Sequence, residues 1–101
     1  MDKPLSLPPL EAERLIKLIL DQGVVEPSYH CQTKSMPKRN VTMPQLLHAL
    51  KTGKIIREPE WDDKYNNWKY RVEGVDTDGD NLIAVTVILE QELTLKIVTV
   101  F

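Results

Sequence analysis

An α+β domain is what these 101 residues predict, with two N-terminal helices packed on a four-stranded antiparallel meander sheet. Three observations carry that expectation. Apolar residues recur at helical spacing over residues 8–22 and again over 43–52. After Gly53 the helical period stops, and alternating or wholly apolar runs follow, separated by the turn-forming stretches DDKYNN and DTDGDN. A chain of this length, with 42% apolar and 28% charged residues, suits one domain (1–101) with its helices gathered on one face of the sheet.

Residues 1–7 read as a short, loosely held lead. Pro8 and Pro9 suit a helix start, where the missing N–H would be unpaired anyway, and Ser6 is the better side chain for the N-cap. Glu11 and Glu13 sit where the helix dipole favours acids. Ala12, Leu15, Ile16, Ile19 and Leu20 form the buried stripe, and Gly23 closes the helix as its C′ residue. Val24 and Val25 suggest a short extended piece. Pro27 and Pro37 bracket a segment with room for one or two helical turns. Thr42 caps the second helix, 43–52, with Pro44 in its first turn, Leu46, Leu47 and Leu50 as its stripe, and Gly53 at its end. Lys54–Trp61 is expected as the first strand, its Pro59 marking an edge or a bulge. Trp68, Tyr70 and Val72 alternate with polar residues as a half-buried strand. LIAVTVIL (82–89) is the central strand, and LTLKIVTVF (93–101) the last. Ile83, Val85, Val87, Leu95 and Ile97 are the predicted core of this sheet.

Composition excludes several classes. No apolar run approaches the roughly 20 residues a membrane helix needs, and no signal-peptide pattern opens the chain. One cysteine allows no intramolecular disulfide and no cysteine-rich zinc site, so a cytoplasmic protein without metal or cofactor is expected. The dinucleotide-binding, P-loop, serine-hydrolase and zinc-protease motifs are missing. Asp76, Asp78 and Asp80 are spaced like the start of a calcium loop, yet the twelfth position is Val87 rather than glutamate, so a hairpin turn with Gly79 at positive φ is expected instead.

Charge layout is more telling than the net charge of −2. From Pro27 to Arg57 there is no Asp or Glu, while Lys34, Lys38, Arg39, Lys51, Lys54 and Arg57 all fall there. That pattern fits either a solvated face or a phosphate-facing surface on an otherwise acidic protein. His30 lies in the same stretch, close to Lys34, Lys38 and Arg39. Cations near a histidine favour its neutral imidazole, which can act as general base toward a 2′-hydroxyl. Lysine and arginine can hold the phosphate and stabilise its non-bridging oxygens. An ordinary loop histidine among solvated lysines fits the same residues. His48 reads as partly buried on the second helix, adjacent His30 and Cys31 make a poor nucleophile–base pair, and Trp61, Trp68 and Tyr70 suit either core packing or base stacking.

The order of features over residues 28–101 adds to this. His30 after an extended lead, Lys34, Arg39, a helix ending at Gly53, then KIIRE, WKYRVEG and KIVTVF resemble a bacterial family known as domain of unknown function number 4258. The resemblance implies a layout similar to RelE-like and barnase-like ribonuclease toxins. It places His30, Lys34, Arg39 and the final-strand Thr99 in a catalytic cluster. Lys38, Arg57 and Tyr70 would contact substrate, with Tyr70 and Gly74 also matching the family's "yrv.G" strand. It further implies RNA as substrate and an antitoxin protein as partner. Two departures stand out: Lys34 occupies a position where the family has arginine, and lysine cannot grip a phosphate bidentately. Pro37 and one extra residue also interrupt the stretch between Lys34 and Arg39. The reading is a metal-independent RNA endonuclease toxin, or a non-catalytic protein- or RNA-binding module of the same fold.

Overall fold

The computed structural model describes residues 3–101. It is α+β, as expected, but with three helices and a mixed five-stranded sheet. Helix α1 (Pro9–Gln22) leads into strand β1 (Val24–Pro27). Tyr29 and His30 are already helical; the turn then widens into a π turn over Cys31–Ser35 and ends as α2 (Met36–Arg39). Helix α3 (Met43–Thr52) follows, then β2 (Glu60–Asp62), β3 (Asn67–Val75), β4 (Asn81–Leu89), a 3-10 turn (Glu90–Glu92) and β5 (Thr94–Val100). The spatial order is β1-β5-β4-β3-β2. β2 to β5 form the expected antiparallel meander, and β1 adds a parallel edge strand on β5, pairing Val24 with Thr94 through Pro27 with Ile97.

Four expectations need correction. The four-stranded, purely antiparallel sheet is wrong because Val24 and Val25 belong to a true strand: β-branched residues directly after α1 reach the free edge of β5. Lys54–Trp61 is not a strand. Lys54 makes only an isolated bridge to Glu73, and pairing resumes at Glu60, after Pro59 has removed a donor. The stretch between Pro27 and Pro37 is helical through Pro37. The Met36 N–H bonds to the Cys31 carbonyl, five residues back, and this wider turn makes room for a ring that would otherwise clash with the preceding turn. Finally, α1 has Pro8 rather than Ser6 at its N-cap; Gly23 does close the helix, with extended backbone (φ −117°). Glycine is needed there because a Cβ would lie 2.0 Å from the Leu93 carbonyl oxygen.

α1 and α3 pack on one face of the sheet, and the helical segment 29–39 lies at its edge with Cys31 and Met36 in the same core. Ala12, Ile16 and Ile19 of α1 meet Leu46, Ala49 and Leu50 of α3, Cys31 and Met36, and Tyr70, Val72, Leu82, Ala84, Leu95 and Ile97 of the strands. Ala49 replaces Leu47 in the α3 stripe, and Leu47 faces outward. Gly74 lets β3 and α3 touch, since a Cβ there would meet the Ala49 carbonyl oxygen at 2.2 Å. Of the predicted sheet core, Val85, Val87, Leu95 and Ile97 are buried, and Ile83 is half-buried on the face no helix covers. The Asp76 carboxylate accepts the N–H groups of Asp78 and Asp80, and Gly79 has φ +85°, as expected for a hairpin turn. The lead is tied down by Trp68 Nε1 donating to the Pro4 carbonyl and the Leu7 N–H donating to the Tyr70 hydroxyl. No helix among the described residues is long and apolar enough to cross a membrane.

Candidate functional site

β5 has two different neighbours on its outer edge. β1 covers it as far as Ile97, and beyond that the helical segment 29–39 takes over. Ser28 makes the switch. Its N–H donates to the Ile97 carbonyl, its hydroxyl donates to the Val98 carbonyl at 3.0 Å, and the same hydroxyl accepts the Cys31 N–H and so caps the new helix. Seven residues on, the buried Ser35 hydroxyl accepts the Val100 N–H at 3.2 Å. Two serines therefore satisfy backbone groups of β5 that a strand would otherwise have paired.

At the same place β5 carries a β-bulge. Val85 pairs with Thr99 but Thr86 pairs with Ile97, so Val98 is extra. Strict alternation would send Thr99 into the helix-side core with Leu95 and Ile97. The bulge puts Val100 into the core instead and turns Thr99 to the open side of the sheet.

A surface cavity of about 620 Å³ lies between the edge helix and this end of β5, lined by His30, Lys34, Lys38, Arg39, Thr99 and Phe101, with Ser35 and Val100 at its back. The structure thus brings together His30, Lys34, Arg39, Thr99 and Lys38 of the sequence-predicted residues. Arg57 and Tyr70 are elsewhere. Arg57 lies 3.8 Å from the Glu73 carboxylate, and Tyr70 is buried on the helix side, where burial pushes its phenol pKa up against the opposing Leu7 N–H bond.

The charged side chains that line the cavity are of one sign, since among the described residues no carboxylate side chain lines it. Among the described residues, neither His30 nor Lys34, Lys38 or Arg39 forms an ion pair, whereas Lys69 pairs with Asp62 and Lys96 with Glu26 on the open sheet face. Arg39 is held by one η-nitrogen donating to the Asn81 carbonyl at 2.6 Å, which spans the end of β5 and leaves other donors of the guanidinium for a ligand. The π turn has a direct consequence here. Cys31, Ser35 and Met36 are all buried while Lys34, Lys38 and Arg39 are all exposed, so the extra residue is absorbed without breaking the helix or burying a cation. Burial pushes the Cys31 thiol pKa up, the Ser35 contact opposing it, so this thiol stays protonated against the core.

Sequence reasoning missed Phe101. The residue is about half exposed and lines the cavity, and its ring has the Arg71 guanidinium 4.8 Å from its centroid. The signal was available in the two-residue spacing from Thr99, which places both on one face of the strand. Among the described residues no cluster of three His, Cys, Asp or Glu is arranged to hold a metal ion.

Residues 28–101 match the family described as a domain of unknown function, DUF4258. The chain belongs to that family. No curated protein and no solved structure matches it. The family match begins at Ser28, the residue that starts the edge helix, so α1 and β1 lie outside it.

Proposed function

We propose that this DUF4258 chain is a metal-independent RNA endonuclease, a toxin kept in check by an antitoxin protein that covers the cavity. One observation carries the reading: a histidine, a threonine and three cations share a cavity and, among the described residues, those cations have no ion-pair partner and no carboxylate side chain lines the cavity. His30 takes the proton from a ribose 2′-hydroxyl, whose oxygen attacks the adjacent phosphorus. The bond from phosphorus to the 5′ oxygen breaks, and that oxygen leaves with a proton from solvent. The products are a 2′,3′-cyclic phosphate and a 5′-hydroxyl end. Lys34 and Arg39 hold the phosphate and stabilise its non-bridging oxygens, Lys38 binds the flanking backbone, and Thr99 orients the phosphate by hydrogen bonding.

The second reading, a non-catalytic RNA- or protein-binding module, is favoured by the commitment of Arg39 to the Asn81 carbonyl and by lysine rather than arginine at position 34. Incubating an end-labelled RNA with the protein in the presence of a metal chelator decides between them. Wild type is expected to release a cyclic-phosphate product, His30→Ala to slow cleavage by roughly 10²–10⁴-fold, and Lys34→Arg to speed it. Expression is expected to slow bacterial growth and His30→Ala to relieve that. RNA bound but left intact by wild type, His30→Ala and Lys34→Arg alike supports the binding module instead.

A further inference from the structure

We infer that Phe101, backed by Arg71, forms a nucleobase-stacking subsite beside the cationic cavity, so that the ligand is single-stranded RNA with one base unstacked onto the Phe101 ring. The inference rests on the phosphate-binding reading above and names the substrate class for that site.

Three observations meet at this point. Phe101 is 49% exposed although its backbone is fixed, its N–H and carbonyl both pairing with Ile83 across the sheet. A partly exposed aromatic side chain on a backbone held by the sheet can serve as a stacking platform, at little cost in side-chain freedom. The Arg71 guanidinium lies over that ring with its centre 4.8 Å away, and its Nε is buried without a hydrogen-bond partner. The group is thus positioned by the ring and by packing, its charge making a cation–π contact that holds the Phe101 ring from behind. The third observation is register. Arg71, Val85 and Thr99 are direct neighbours across three strands, on the sheet face no helix covers. A nucleotide whose phosphate sits among Lys34, Arg39 and Thr99 therefore has its base beside Phe101.

A duplex cannot use such a site, because its bases are already stacked within the helix, whereas a single strand can turn one base out. The ring reads no hydrogen-bond pattern, so the subsite is tolerant of sequence and favours larger bases by stacking area.

The experiment uses the full chain and a short 2′-O-methyl RNA, which lacks the attacking hydroxyl, with binding followed by fluorescence anisotropy over a salt series. Oligonucleotides carrying one abasic position are compared with the intact strand. Wild type is expected to lose about tenfold in affinity at one abasic position and little at the others. Phe101→Leu, which keeps apolar packing, is expected to lose about tenfold on the intact strand, to become indifferent to the abasic position, and to keep the wild-type salt dependence. Phe101→Trp is expected to restore discrimination. Arg39→Ala is expected to reduce the salt slope by about one while leaving the abasic preference in place. Equal binding of intact and abasic strands by wild type, with a normal salt slope, overturns the base subsite and leaves the phosphate site standing. Salt-insensitive or undetectable binding of every strand overturns both.

Discussion

The two halves of β5 differ in what covers their outer edge. The first half is zipped to β1 by strand pairing as far as Ile97. The second is met by a helix, and only two serine hydroxyls, those of Ser28 and Ser35, replace the missing ladder. The first half is a dry seam with Leu95 and Ile97 fully buried. The second opens into the cationic cavity. A strand partner satisfies every backbone group and leaves no room beside it. A helix lying along an edge satisfies a few groups and projects long side chains past the sheet, creating a concave wall. In this chain the strand-paired seam lies on one half of the strand and the cationic cavity on the other.

Substitutions on the two halves should separate those properties. The largest expected effect is Ile97→Ala on the zipped half, costing about 2–5 kcal/mol in a denaturant melt while the salt dependence of RNA binding by the folded protein stays unchanged. A comparable drop in that salt slope would mean the halves are not separable. Ser35→Ala is the counterpart on the helix half. It leaves the buried Val100 N–H without its acceptor, at a cost of about 1–3 kcal/mol, and it removes one of the two hydroxyl tethers between helix and β5, so RNA affinity should fall in protein that still melts cooperatively. Unchanged affinity in that variant would show that the cavity does not depend on this tether.

A pH titration of stability sharpens the comparison further. The Cys31 thiol on the helix and the Tyr70 phenol on the sheet both have pKa values raised by burial. The folded state therefore holds each proton after the unfolded chain has released it, and the contribution is complete below the ordinary value and lost as pH rises through the raised one. Stability should decline first above the thiol's ordinary 9.0 and more steeply above the phenol's 10.0. Cys31→Ala should remove the earlier part of that decline and Tyr70→Phe the later part, as read from melts between neutral and alkaline pH. The smallest expected effect on stability is Lys38→Ala, within about 0.5 kcal/mol, accompanied by a loss of about one in the salt slope of RNA binding.

What was legible in the sequence follows from how local each signal was. α1, α3, β3, β4 and β5 announced themselves through period and turn residues, because their patterns are complete within a dozen residues. β1 was not legible as a sheet member, since two valines and a proline say nothing about a partner 70 residues away. The helix through Pro37 was hidden because proline ordinarily ends a helix, and the π turn that accommodates it has no composition of its own. For the cavity, the acid-free stretch gathered His30, Lys34, Lys38 and Arg39 on one segment, and the family resemblance supplied Thr99. Alternation by itself would have buried Thr99, because a bulge at Val98 is invisible to a two-residue period. Arg57 shared the basic stretch but not the cavity, since 18 positions of helix and loop after Arg39 carry it to Glu73.

The parallel pairing of β1 with β5 has a consequence for the order in which the molecule comes into being. Val24 waits for Thr94 before its strand has a neighbour, and the edge helix waits for Val98 and Val100 before its serines have partners. Such distant contacts form late, because the intervening loop must be closed before they are rewarded. During synthesis from the N-terminus, His30, Lys34 and Arg39 emerge long before Thr99 and Phe101 exist. A ribosome-bound or interrupted chain therefore displays the cations without the opposite wall of the cavity, and the site is assembled by the last strand.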